Sequence, residues 1–375
     1  MIIYYLIKSW VWLSLRLFFN EVNVSGKENI PKDKGIIFYA NHFNTLLDPL
    51  LIVTAFFKKT WFLTRSDVFK KERIIKLLKF FGSIPTYRVT DGFKAPLQNE
   101  KTFSFCREIL SNNGWIALFP EGTHGQKRSL KPFKKGIMRI WEQNPEAKCV
   151  AVALNFSSLS SPNSRISIDF GKPIDKSDAI TKEDLRATLE EKIIINPGGA
   201  NIDAVLDLDW GKAHRIGLSK GKKPVSENWQ ELADFLGPQP KLILPFSFFG
   251  YIKAMLNFAA FLPLTIAGLF LEIPFRILLV PVLRIFKDHQ FHLAIHWLLK
   301  HFYVSFFIIL WVVFLITKGL ISFYTLGLFF MLAGLLIIPL AKRQLNKIKA
   351  QYLFVMLSEE RKNSFLKIYQ NTVNQ

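Results

Sequence analysis

Hydrophobic and polar positions along this chain follow two regimes. Up to about residue 175, short apolar runs alternate with helical patterns; beyond residue 238, long unbroken apolar stretches take over. In the first regime residues 35–39, 61–64, 114–119 and 149–156 are apolar runs of strand length, and 165–171 reads as a hairpin-like partner of the last of them. A short alternating stretch at 21–24 and a Gly/Pro-punctuated one at 82–88 add two more strands. Helical spacing is expected over 46–57, over 66–82 with Ser66 as cap, over 94–112, and within 175–191 with Ser177 or Thr181 as cap. This order predicts an α/β domain with a mixed central sheet flanked by helices.

The second regime calls for a different solvent. Residues 254–271 are long enough to enter or cross a bilayer, but Glu272, Pro274, Arg276 and Pro281 follow, so a re-entrant or interfacial hairpin competes with a span. Residues 302–317 and 319–341, parted by Lys318-Gly319, predict a transmembrane helical hairpin. Lys287, Lys300, Lys342, Arg343, Lys347 and Lys349 flank its outer ends and place them, with the α/β domain, on the cytosolic side. Residues 2–19 are apolar and aromatic but carry Lys8 and Arg16, which predicts an interfacial anchor helix. The expected layout is a membrane-interface helix over 1–20, an α/β domain over 21–240, a membrane region over 241–350 and a basic tail over 351–375. Residues 198–223, with His214, read as an irregular surface segment.

Charge narrows the partners. Lys and Arg number 49 against 29 acidic residues, a formal net charge of +20 in 375 residues. Such an excess implies anionic partners, and the membrane runs rank lipid headgroups first and nucleic acid last. A basic amphipathic helix over 66–82, with Lys70, Lys71, Arg73, Lys76 and Lys79, fits either an anionic bilayer or an ordinary solvated face. Two distant cysteines, Cys106 and Cys149, read as small buried hydrophobes rather than a disulfide or zinc site. His289, His292, His296 and His301 invite a metal reading, but with Asp288 as the lone acid nearby they read better as membrane-interface histidines.

Candidate chemistry starts at Ala40-Asn41-His42-Phe43-Asn44-Thr45-Leu46-Leu47-Asp48-Pro49, just past the first buried strand. Two readings stand on these residues alone. His42 is a general base whose second nitrogen is held by Asp48, or Asp48 only caps a helix opened by Pro49 and His42 is a loop residue. Further on, Arg88 offers a planar fork for an acceptor phosphate, or is a plain surface charge. The turn Pro120-Glu121-Gly122-Thr123-His124-Gly125 leads into the basic run 126–136. Glu121 there would accept from hydroxyls, while Lys127, Arg128, Lys131 and Lys135 would neutralise phosphate; a solvated basic loop is the alternative.

Asn41-His42 with Asp48, residues 82–88 ending in Arg88, Phe119-Pro120-Glu121-Gly122-Thr123 and residues 150–156 occur in the order and rough spacing of four sequence blocks. Together they resemble the phospholipid/glycerol acyltransferase family over about residues 20 to 175. The resemblance implies transfer of a fatty acyl group from acyl-CoA or acyl-carrier protein, as co-substrate with no cofactor, to a hydroxyl of glycerol 3-phosphate or 1-acylglycerol 3-phosphate. It implies His42 as base, Asp48 as its partner, Arg88 as the second block's cation, and Glu121, Gly122 and Thr123 as acceptor-binding residues. Five residues part His42 from Asp48 where the family commonly has four, and His124 stands where many members have Arg or Ser. The longer spacing, followed by Asp-Pro-Leu, is similar to a subgroup that includes glycerol 3-phosphate and dihydroxyacetone phosphate acyltransferases with a C-terminal membrane hairpin. The departure at His124 would move the phosphate contact to Lys127, Arg128 or Lys131.

Overall fold

The computed structural model describes residues 2–88, 91–125, 128–159, 164–177, 179–193, 247–286, 291–318 and 323–373. Lys127, the segment 198–223 with His214, Lys287, Asp288 and His289, and Gly319 lie outside the described residues.

Seven strands form one sheet in the order β1-β7-β6-β2-β5-β3-β4. They are β1 (Glu21–Ser25), β2 (Ile36–Ala40), β3 (Thr60–Arg65), β4 (Ser83–Thr86), β5 (Trp115–Leu118), β6 (Lys148–Phe156) and β7 (Arg165–Phe170). β6, β2, β5, β3 and β4 run parallel, while β7 returns antiparallel to β6 in the expected hairpin pairing and carries β1 parallel to itself at the edge. Five carboxyl ends therefore share one rim, where parallel sheets place their ligands.

Both sheet faces are covered, which is why β2, β5 and β6 read as unbroken apolar runs. On one face Ile36, Phe38 and Ala40 of β2 pack with α1 (Ile2–Phe18) and α2 (Leu47–Thr54). Ile37 and Tyr39 face α4 (Ala95–Ser111), α5 (Gly136–Glu142) and α6 (Lys182–Glu190). Cys106 and Cys149 are free and buried in this second layer, where burial pushes the Cys106 thiol up to about 12. α6 begins with a capping box in which Thr181, one of the two expected caps, pairs with Asp184.

Two local expectations change. Ser66 opens a short 3-10 turn, and the helix α3 starts only at Glu72 (Glu72–Phe80), because its side chain bonds Asp91 instead of a helix amide. Lys8 does not reach for headgroups: it is buried and donates to the carbonyls of Phe57 and Lys58 at 3.1 Å each, and burial pulls it down to about 8. The residues that α1 turns outward are mostly apolar, among them Ile2, Ile3, Leu6, Leu13 and Leu17, with Ser9 and Arg16 the exposed polar ones.

Beyond the sheet, α7 (Phe248–Ile285) is one continuous helix of 38 residues through Pro263, Pro274 and Pro281, in place of the re-entrant break that Glu272 and Pro274 suggested. α8 (His292–Lys318) and α9 (Phe323–Val355) extend the two hairpin runs past both expected outer limits. α9 thus passes residue 350, and a last helix, Glu359–Val373, carries Glu359 and Glu360 in its first turn. α7 and α8 are long and apolar enough to cross a membrane. α7 and α9 run antiparallel, with Gly250 beside Gln351 and Gly268 against Gly334. A Cβ on Gly334 would lie 1.9 Å from the Leu264 carbonyl oxygen, so only glycine lets these backbones meet. The first turns of α8 return to the sheet domain: Leu293, Ala294 and Trp297 join the core on the β2/α1 face, and the Trp297 indole donates to Ser14 at 3.2 Å.

Candidate active site

His42 leaves the carboxyl end of β2 with its side chain 12% exposed, beside a fully buried Asp48. Its Nδ1 lies 2.9 Å from Asp48 Oδ2. The contact forms despite the five-residue spacing because Asn44 folds the intervening loop. Asn44 N–H donates to the same Asp48 Oδ2 at 2.7 Å, and Asn44 Oδ1 accepts from Leu46 and Leu47 at 3.3 and 3.2 Å. Asn44, rather than Asp48, is therefore the side chain that satisfies the first amides of α2, and Asp48 sits inside the first turn. That frees the carboxylate for the imidazole.

Burial pushes the Asp48 carboxyl above its usual range, opposed by the hydrogen bond from His42, the charge on that ring and the Asn44 amide. A neutral His42 held this way donates from Nδ1, so Nε2 carries the lone pair. Nε2 has no hydrogen-bond partner among the described residues. The ring is fixed from the side as well, stacked on Phe119 at 3.9 Å and 9° and edge-on to His124 at 5.7 Å.

Phe119 and Glu121 come off β5, the strand next to β2. Glu121 is buried, and both carboxylate oxygens are spent on backbone amides: Oε1 accepts from His42 at 3.1 Å and Oε2 from Lys131 at 2.9 Å. Burial raises its pKa, and those two amides oppose the shift. Its position is thus a brace between the His42 loop and the 120s loop, not the open acceptor for substrate hydroxyls that the sequence suggested. Gly122 turns the chain at φ 72°, its amide bonded to Phe119 at 3.0 Å, so neither this amide nor that of His42 is left to stabilise an oxyanion. The Gly125 amide closes the loop onto the His42 carbonyl at 2.9 Å. The Asn41 side chain, two bonds to Leu154 at 2.8 and 2.9 Å, ties β2 to β6 beneath the site.

The expected cations divide. Lys131 reaches over the turn, its Nζ 3.0 Å from Thr123 Oγ1 and 2.8 Å from the His124 carbonyl. Arg128 is buried and donates to the Ser157 carbonyl at 3.1 Å, past the end of β6, so it does not face solvent as a headgroup cation would. Arg88 is held by Asp67 at 3.5 Å and Asp91 at 3.6 Å. It follows β4, three strand spacings or about 14 Å from β2, so it shares the rim with His42 without meeting it. The sequence did not single out Asn44 or Phe119, although an Asx residue two to three positions before a helical run is a readable cap signal. Phe291, at the foot of α8, packs edge-on to His124 at 5.8 Å and brings the apolar helices to the margin of the site.

A buried carboxylate orienting an imidazole at the carboxyl ends of parallel strands is an arrangement that can act as a general base. Residues 21–155, which hold it, match the family model described as Acyltransferase. The chloroplastic 1-acyl-sn-glycerol-3-phosphate acyltransferase of Arabidopsis thaliana is 24% identical over 36% of this chain and 36% of its own length. Its counterpart from Brassica napus is 25% identical over 36% and 38%, and the Borreliella burgdorferi enzyme 27% over 36% and 52%. The chain thus spans little more than a third of the two plant relatives. A crystal structure of a 1-acyl-sn-glycerophosphate acyltransferase from Thermotoga maritima superposes with a TM-score of 0.37 at 21% identity, covering 49% of this chain and 74% of that one.

Proposed function

We propose that this protein is a membrane-bound O-acyltransferase of phospholipid synthesis, moving a fatty acyl group from acyl-CoA or acyl-carrier protein to a hydroxyl of a glycerophosphate. The names of its relatives favour 1-acylglycerol 3-phosphate over glycerol 3-phosphate as acceptor. The observation that carries the reading is the 2.9 Å contact between His42 Nδ1 and Asp48, which leaves Nε2 for substrate.

In this mechanism Nε2 takes the acceptor's hydroxyl proton as its oxygen attacks the thioester carbonyl. Asp48 stabilises the imidazolium that forms. The C–S bond then breaks, and the leaving thiolate takes the proton back from His42. No covalent enzyme intermediate or cofactor is needed. Thr123 and Lys131, at the mouth of the 120s turn, are placed to meet the acceptor phosphate, with Gly122 shaping the turn. The apolar helices α7, α8 and α9 hold the domain to a bilayer, with the catalytic side cytosolic by the excess of Lys and Arg at the hairpin's outer ends.

The test is to incubate purified protein with labelled acyl-CoA and, separately, labelled acyl-carrier protein, with each acceptor in turn. Transfer to 1-acylglycerol 3-phosphate by the wild type and its loss in His42→Ala are expected. No transfer to any glycerophosphate by either protein would overturn the reading.

A further inference from the structure

Where the three apolar helices meet the sheet domain, four charged side chains from different helices converge. Glu272 of α7 is almost fully buried, and its Oε1 accepts from Arg276 Nε at 2.8 Å and Nη2 at 2.7 Å. Its Oε2 accepts from Lys300 of α8 at 3.2 Å. Lys342 of α9 lies close enough to interact electrostatically with Glu272, Arg276 and Lys300. Two cations are thus ion-paired with one carboxylate and a third lies within electrostatic range, so the group holds two positive charges more than negative among the described residues.

Their level is set by the apolar runs. Hydrophobic stretches end at Leu271 on α7, begin just after Lys300 on α8 and end at Ala341 on α9. Next to these charges in the bundle, Leu271, Leu335 and Ile338 form a hydrophobic cluster with Tyr303, Val304 and Phe307, the Tyr303 hydroxyl donating to the Leu271 carbonyl at 3.0 Å. Towards the sheet, His296 stacks on Phe275 and packs edge-on to Phe18. The charged cluster thus sits where hydrocarbon gives way to headgroups, the depth of lipid phosphates. The Arg276 side chain is 51% exposed and that of Lys300 23%, so the cluster opens outward and keeps hydrogen-bond donors to spare.

We infer that Glu272, Arg276, Lys300 and Lys342 form a binding site for the phosphate of an anionic glycerophospholipid, and for a phosphomonoester ahead of a phosphodiester. A phosphomonoester carries about −1.5 to −2 near neutral pH, close to the unmatched charge, whereas a diester carries about −1. Glu272 holds the two guanidinium and ammonium groups in one place rather than being the binding group itself. Phe291, which packs on His124, lies nine residues before Lys300, about 14 Å along the helix. A phosphomonoester lipid held here waits within one lipid's length of the site. The inference rests on the membrane placement proposed above but not on acyl transfer.

Binding is measured on the full chain in the His42→Ala background, in phosphatidylcholine nanodiscs doped with phosphatidate or phosphatidylglycerol, by native mass spectrometry of retained lipid. Phosphatidate should be retained over phosphatidylglycerol. Lys342→Gln should weaken phosphatidate about fivefold, the share of one interfacial cation, and Lys300→Gln at least as much. Lys342 ion-pairs with no carboxylate among the described residues, so its loss leaves the Glu272 pairs intact. Lys342→Arg should retain binding, and Lys76→Gln on α3 should change nothing. Equal retention in wild type and Lys342→Gln overturns the site, and equal retention of the two lipids overturns the phosphomonoester preference. Displacement of phosphatidate by equimolar inorganic phosphate would reduce it to a free-anion site and overturn the lipid assignment.

Discussion

At the scale of single residues, Asp48 and Glu121 show the same physics used for different ends. Each is a buried carboxylate whose pKa burial raises, so each binds its proton more tightly in the folded state than in the unfolded chain. Such a group favours folding in acid and loses that contribution as pH rises through its folded value. At neutral pH the ionised Asp48 is accordingly a cost, kept for orienting His42. Asp48→Asn should therefore cut turnover by about 10² or more while leaving the thermal midpoint unchanged or higher. The variant's advantage in midpoint should shrink as pH falls from 7 towards the unfolded carboxyl range near 4; a widening gap would mean Asp48 stabilises the fold as an anion. Glu121 separates a brace from a substrate contact. Because both its oxygens bind backbone amides, Glu121→Gln should cost about 1–3 kcal/mol of stability and lower kcat more than it raises the acceptor KM. A change confined to KM would restore it as an acceptor ligand.

The elements explain what the sequence could and could not disclose. β2, β5 and β6 were legible because a strand buried on both faces leaves a continuous apolar run, and β7 because a hairpin partner follows at once. The order of strands was not, since β5 slots between β2 and β3 through packing that no local pattern encodes. His42 and Asp48 were readable as a pair, but the Asn44 turn that joins them was not, nor that Arg88 would be spent on Asp67 and Asp91. The Arg88–Asp67 pair, 21 residues apart, leaves no periodic trace. The same holds for the α7–α9 seam, where composition gave long apolar helices but not the Gly268–Gly334 contact. Gly334→Ala should lower the thermal midpoint in detergent and loosen the bundle, because its Cβ would collide with backbone. Gly327→Ala, on the same helix with open space around it, should be neutral or gain up to about 1 kcal/mol. Equal responses would place the helix contact elsewhere.

At the scale of the whole molecule, the proposed membrane placement turns on the polarity of α1. An interfacial helix ordinarily buries its apolar face in lipid and turns its charges to water. Here Lys8 points inward to the Phe57 and Lys58 carbonyls, and the outward face is Ile2, Ile3, Leu6, Leu13 and Leu17. The exposed polar side chains of α1 are Ser9 and Arg16, the latter near the helix end and over the Trp12 ring at 4.6 Å, and Trp10 touches His301 of α8 at 4.1 Å, one residue beyond Lys300 and so, in the proposed membrane placement, at headgroup depth. α1, α8 and the charged cluster then share one plane, with the His42 rim held beside it. Leu6→Glu with Ile3→Glu should leave turnover of a short-chain, water-soluble acceptor unchanged and lower turnover of the same acceptor class presented in vesicles several-fold, through KM. Stability should barely move, because both positions are solvent-facing outside a bilayer. If vesicle and soluble acceptors lost activity together, α1 would be a packing element of the domain, and the plane defined by Glu272, Lys300 and Lys342 would have to hold the protein on its own.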